Sequence, residues 1–171
     1  MPRQSGLVAQ VRASIEQAGA LGKPFVLYTE PDKERFLTSQ IDDFIAKSPA
    51  IGADVVLAAR TDESFATFPP MQQYTERVFN YLCGNMLERP GDYTYGPFLM
   101  HAMLLDLLND MPEHLGWGWR PCFFHAAHRR GARLGQVDGE YPCPVDQRRE
   151  IEEDRRHRLR QLAENISGLI A

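Results

Sequence analysis

The chain has 171 residues, 43% hydrophobic and 25% charged. That composition fits one globular domain with a substantial core and excludes a disordered chain. A net charge of −4 argues against a nucleic-acid binder by global charge, and no apolar run is long enough to span a bilayer.

The opening Met1-Pro2-Arg3-Gln4-Ser5 is not followed by a signal-peptide core. Cys83, Cys122 and Cys143 are widely spaced and odd in number, which suggests reduced thiols in a cytoplasmic compartment. Residues 7 to 18 read as an amphipathic helix with Leu7, Val8, Val11 and Ile15 on one face. Ser5 is its expected N-cap, and Gly19 and Gly22 end it.

Phe25-Val26-Leu27-Tyr28 then reads as a short buried strand. Pro31 fixes its own φ and pushes Glu30 into an extended conformation, so the strand ends there. Glu30 and Asp32 are left near the carboxyl end of a strand, where open α/β sheets place their ligands. One reading is a hard-cation site for Mg²⁺ or Mn²⁺, with positions open to water and phosphate oxygens. The other is a tight strand-to-helix turn with Asp32 as the cap.

A helix is expected over residues 34 to 47, with Phe36, Leu37, Ile41, Phe44 and Ile45 as its apolar positions and Ser48-Pro49 closing it. Residues 53 to 59 make a second buried strand. Helix, strand, helix, strand implies parallel strands joined by a right-handed crossover. Arg60 follows at once, as a phosphate or carboxylate clamp or as an ion pair at a strand end.

Beyond Arg60 the alternation stops. Residues 71 to 87 return to helical spacing, with Tyr74, Val78, Phe79, Leu82 and Met86 as the apolar stripe. Asp92-Tyr93-Thr94-Tyr95-Gly96 puts a carboxylate, two aromatics and a flexible backbone in one loop. Such mixtures bind sugars, since aromatic faces cover C–H surfaces and carboxylates accept hydroxyl protons; a surface loop with two half-buried tyrosines is the alternative. Residues 98 to 111 read as a strongly apolar helix ended by Pro112.

Trp117, between Gly116 and Gly118, has room to swing against a ligand; otherwise both tryptophans of this loop plug the core. Residues 121 to 130 form another helix. His125 and His128 stand three apart on it without a companion ligand, so they are surface histidines, or one of them, His128, is the third ligand of a metal held by Asp32. Residues 133 to 141 are a strand candidate. From 145 to 171 one charged helix is expected, with Ile151, Leu159, Leu162, Ile166 and Leu169 toward the core.

This succession of parts resembles the family 2 glycosyltransferases, of the A-type glycosyltransferase fold. V-R-A-S-I-E-Q-A resembles the family's helix before its metal motif, and F-V-L-Y-T-E-P-D-K the strand that ends in an acidic D-x-D. G-A-D-V-V-L-A-A-R resembles the strand ending in G-S-R, and D-Y-T-Y-G-P-F-L-M the loop near the acceptor. G-W-G-W-R followed by H-A-A-H-R-R-G-A-R-L-G-Q-V resembles the helix and final strand.

The resemblance implies transfer of a sugar from a nucleotide-sugar to an acceptor hydroxyl with a divalent metal. Glu30 and Asp32 would then be the metal and diphosphate site, and Lys33 would help neutralise phosphate. Arg60 would lie near the donor, with Asp92 and Trp117 near the sugar or acceptor as the candidates for catalysis. Two departures stand out: the first acid is Glu30 rather than Asp, and Trp119 and Arg120 occupy the region of the usual acidic pair.

The family's N-terminal strands, which build the pocket for the base, have no counterpart here. The expectation is therefore an α/β domain over residues 1 to 171, a truncated version of that fold with a mostly parallel sheet and helices on both faces. A second copy or a partner chain would cover its exposed sheet edge. The alternative function is a catalytically inactive remnant serving as a sugar-binding or protein-interaction module.

Overall fold

The computed structural model describes residues 6 to 171. The expected Ser5 cap lies outside them. The fold is α/β. Its sheet has four strands, β1 (Phe25–Tyr28), β2 (Val55–Arg60), β3 (Phe98–His101) and β4 (Leu134–Gly139), in the spatial order β1-β3-β2-β4. β3 is antiparallel to both β1 and β2, and only β2 and β4 pair parallel. The sheet is therefore mixed, which corrects the expectation of a mostly parallel one.

β1 and β2 do run the same way, as the helix–strand alternation implies, but they are not neighbours because β3 returns between them. β3 comes from a stretch expected to be helical. Phe98 and Met100 are fully buried, while Leu99 and His101 are less so, which is the period of a strand. His101 Nδ1 then accepts the Met103 N–H, and a 3₁₀ segment, Ala102–Leu108, follows.

Helices cover both faces, as expected. Alternate residues of β2 serve two cores, which explains why all six of its residues are buried. Val55 and Leu57 face the larger core. There Phe98, Met100, Trp119, Phe123 and Phe124 pack with α1 (Leu7–Gly19), α4 (Pro70–Met86), α5 (Trp119–Arg129) and α6 (Glu152–Leu169). Val56 and Ala58 face the smaller core with Phe36, Phe44, Tyr95 and Tyr141, under a π-helical turn (Phe36–Gln40) and α2 (Ile41–Ile51). α2 runs through Pro49 instead of stopping before it.

α4 is turned over relative to expectation. Gln72, Thr75, Glu76, Phe79 and Cys83 are buried, while Tyr74, Val78, Leu82 and Met86 face solvent. Only Phe79 of the expected stripe points inward. The face turned inward carries Phe79 and Cys83 into the larger core and brings Glu76 to 2.7 Å from Arg60. The C-terminal helix also begins later than expected. Val145–Gln147 is a 3₁₀ turn, and α6 starts at Glu152, where Asp154 accepts the Ile151 N–H at 2.9 Å. Ile151 and Leu159 are exposed, whereas Leu162, Ile166 and Leu169 pack on the core.

β1 and β4 are the edge strands, each with one unpaired flank among the described residues. No helix among the described residues is long and apolar enough to cross a membrane.

Candidate functional site

The sheet directions set the site. β1, β2 and β4 end at one rim, and β3 starts there, since Tyr28 pairs with Phe98. Chain segments leaving that rim enclose a polar cavity of about 160 Å³. Glu30, Asp32, Lys33, Arg60 and Trp117 all line it, together with Glu76 and Arg120.

Arg60, the last residue of β2, has its Nε and Nη2 engaged by protein. Its Nε donates to Asp92 Oδ2 at 2.7 Å, and its Nη2 donates to Asp92 Oδ1 and Thr94 Oγ1, both at 2.9 Å. Glu76 Oε2 lies 2.7 Å from the same Nη2. The guanidinium carbon sits 4.6 Å from the ring centroids of both Phe65 and Phe68. With 1% of the side chain exposed, Arg60 is the strand-end ion pair of the two sequence readings rather than an open clamp.

Asp92 is its counter-ion. It also accepts from Asn80 Nδ2, and from the Arg60 N–H at 3.1 Å. Burial alone would raise its carboxyl, but the charge and hydrogen bonds of Arg60, with help from Thr94, hold it down at about 2. Asp92 does not line the polar cavity; it faces the hollow on the other side of Arg60. The five-residue loop uses its carboxylate on Arg60. Tyr95 of the same loop does line the cavity, stacked on Tyr141 with centroids 4.8 Å apart.

Glu30 leaves β1 buried. Its Oε1 accepts from Arg120 Nη1 at 2.9 Å, while its Oε2 has no hydrogen-bond partner. Gly96, at φ 127°, packs directly on this carboxylate, and a Cβ there would fall on Oε2. Burial, and then the Glu30 charge, push the nearby Tyr28 phenol upward. Asp32 differs sharply. Its side chain is 62% exposed, 3.5 Å from Lys33 Nζ, and the π-helical turn that follows carries no side-chain cap. Lys33 Nζ lies 5.5 Å from the Tyr95 centroid.

The Trp loop, Glu113–Gly118, consists of two short turns across a kink at Gly116. The two tryptophans have different surroundings. Trp119 is fully buried, edge-on to Tyr28 at 4.8 Å. Trp117 is half-buried at the cavity, its ring 5.4 Å from the Arg120 guanidinium. Glu164 of α6 accepts the Trp117 N–H at 2.9 Å. Gly118 and Gly168 lie backbone against backbone, so a Cβ on either would strike main-chain atoms. α6 also brings His157, Arg158 and Gln161 to the cavity, with Arg158 donating to Gln161 at 2.9 Å.

His128 sits in the last turn of α5 and does not line the cavity. The geometry does not bring it to Asp32. The divalent ion implied by the resemblance fits these residues poorly. Of the two acids, Glu30 already carries an arginine, and Lys33 stands beside the other. Hard cations need several oxygen ligands and repel fixed positive charge. Among the described residues no three His, Cys, Asp or Glu side chains are grouped to hold a metal.

Sequence reasoning missed Glu76, Arg120, His157 and Arg158 as cavity residues. Glu76 was masked by the reversed face of α4. Arg120 was visible only as a departure from a motif. Scans of the chain against protein-family models, curated proteins and solved structures find no match.

Proposed function

We propose that the domain binds the sugar-phosphate part of a nucleotide-sugar in this cavity and transfers the sugar to an acceptor hydroxyl. One observation carries the reading: carboxylates, guanidinium groups, an ammonium and the Trp117 ring converge on one hollow at the rim where three strands end. Carboxylates accept sugar hydroxyls, the ring covers C–H surface, and cations meet phosphate oxygens. In the transfer the acceptor oxygen bonds to the anomeric carbon and gives up its proton, while the bond to diphosphate breaks and its electron pair leaves with the nucleotide. At about 160 Å³ the cavity is too small for a whole nucleotide-sugar, so on this reading the nucleoside lies outside it.

On this reading the sheet is a truncated A-type glycosyltransferase fold. The open flank of β1 is where further strands, a partner chain or a second copy add. The Glu30–Arg120 pair favours a second reading, a sugar-binding module without transfer, because an acid locked onto arginine is withdrawn from chemistry.

Thermal shift and turnover separate these readings. UDP- and GDP-sugars, each with and without Mn²⁺, are expected to raise the melting temperature, since a ligand of the folded state stabilises it. Release of nucleoside diphosphate supports transfer. A rise with free sugar and none with any nucleotide-sugar favours the binding module. No rise with either overturns both.

A further inference from the structure

We infer that the cavity holds phosphate directly on fixed side-chain cations, Arg120, Lys33 and Arg158, with no divalent ion between protein and ligand. The inference rests on the cavity being the donor site proposed above, and it names how that site meets charge.

Arg120 is the central observation. Its side chain is 4% exposed, yet only Nη1 has a protein partner in the cavity, Glu30 Oε1. Its Nε is buried with no partner. A guanidinium has five N–H donors, and leaving them unmet in a buried place is costly, so an oxygen-rich ligand completes it. The Trp117 ring at 5.4 Å holds the guanidinium plane from one side.

Lys33 and Arg158 line the same hollow from opposite segments of the chain. Among the described residues Lys33 has only the exposed Asp32 as its counter-ion, at 3.5 Å, a contact that solvent screens. Arg158 bonds neutral Gln161 and makes no ion pair among the described residues. Both buried acids of the cavity lie against cations of the fold, Glu30 against Arg120 and Glu76 against Arg60, although one oxygen of each, Glu30 Oε2 and Glu76 Oε2, has no hydrogen-bond partner.

A divalent ion in a diphosphate site neutralises charge and bridges oxygens. Here an arginine already sits on the carboxylate that would hold the ion, in the chain region where the resemblance leads one to expect acids. Guanidinium and ammonium groups supply the same neutralisation as permanent parts of the fold.

The test is calorimetric titration of the intact chain with inorganic pyrophosphate, once in EDTA and once in excess Mn²⁺. Binding in EDTA is expected, weakened about tenfold or more by Lys33→Met and by Arg158→Met, since each removes a charge-assisted contact. Both side chains are at least partly exposed, and circular dichroism verifies that the variants fold. Absence of binding in EDTA, binding only with Mn²⁺, or binding untouched by both substitutions overturns the inference. Nucleotide-sugars that bind only with Mn²⁺ overturn it while leaving the transferase reading standing. Pyrophosphate that binds in EDTA beside nucleotide-sugars that never bind does the reverse.

Discussion

The Arg60 guanidinium and the Asp92 carboxylate meet fork to fork, Nε on Oδ2 at 2.7 Å and Nη2 on Oδ1 at 2.9 Å. This pair ties the end of β2 to the loop that leads into β3, and so fixes one wall of the cavity. Removing one partner of such a buried pair strands the other's charge. Asp92→Ala is expected to cost about 3–5 kcal/mol in urea denaturation. Arg60→Lys recovers little, because a single ammonium cannot reproduce two parallel hydrogen bonds.

The same pair sets an acid limit. Asp92 titrates at about 2 in the folded chain against an ordinary value of 3.8. Since the folded value is the lower one, its ionised form stabilises the fold in full above the ordinary value, and this contribution is lost as pH falls through the folded value. Wild type should therefore lose stability between pH 3.8 and about 2. Asp92→Asn should be weaker at neutral pH but show a flatter acid limb, read from denaturation midpoints across that window.

Glu30 and Arg120 behave as a unit. Arg120→Met leaves a buried carboxylate alone and is expected to destabilise more than the double variant Glu30→Gln/Arg120→Met. A double-mutant cycle should return a coupling energy of about 0.5–3 kcal/mol, and a value near zero would remove the pair from the picture. Gly96→Ala attacks the same contact from the other side, by placing a methyl on Glu30 Oε2 at a φ of 127°. It is expected to cost about 1–3 kcal/mol by overpacking.

The orientation of α4 is open to a simple contrast. Phe79 is 1% exposed, whereas Tyr74, which belongs to the expected apolar stripe, is 71% exposed. Phe79→Ala should cost about 3–5 kcal/mol. Tyr74→Ser should stay within about 0.5 kcal/mol of wild type, as surface changes do. Equal losses at the two positions would mean that the helix is turned the other way.

The front of the chain was legible because its elements are marked locally. Apolar strands end just before Pro31 and at Arg60, and Phe36 and Phe44 mark the buried face of the helical stretch between them, although Leu37 and Ile45 of the expected face are exposed. β3 was not legible, since Phe98-Leu99-Met100-His101 satisfies a helical and an alternating pattern equally well. Its state is decided by the backbones of β1 and β2 on either side, which no local window contains. α4 failed for a different reason: its apolar stripe faces solvent, and the face packed inward mixes Phe79 and Cys83 with Gln72, Thr75 and Glu76, which has no apolar period to read. At the site, the residues after β1 and β2 could be placed near one rim from strand ends alone, whereas Trp117 was placed there only by the resemblance. Arg120, Glu76 and Arg158 come from helices packed over that rim, and helix packing leaves no signature in their neighbours. His128 belongs to the opposite case, a plausible spacing that tertiary structure carries elsewhere.

The crossing of Gly118 with Gly168 has a mechanical consequence. It locks the far end of α6 to the Trp117 loop, so those two segments shift together or not at all. His157 and Arg158 stand on the same helix ahead of that anchor, so the cations they bring to the mouth of the cavity and the Trp117 ring on its floor are held in one fixed relation by a pair of residues without side chains.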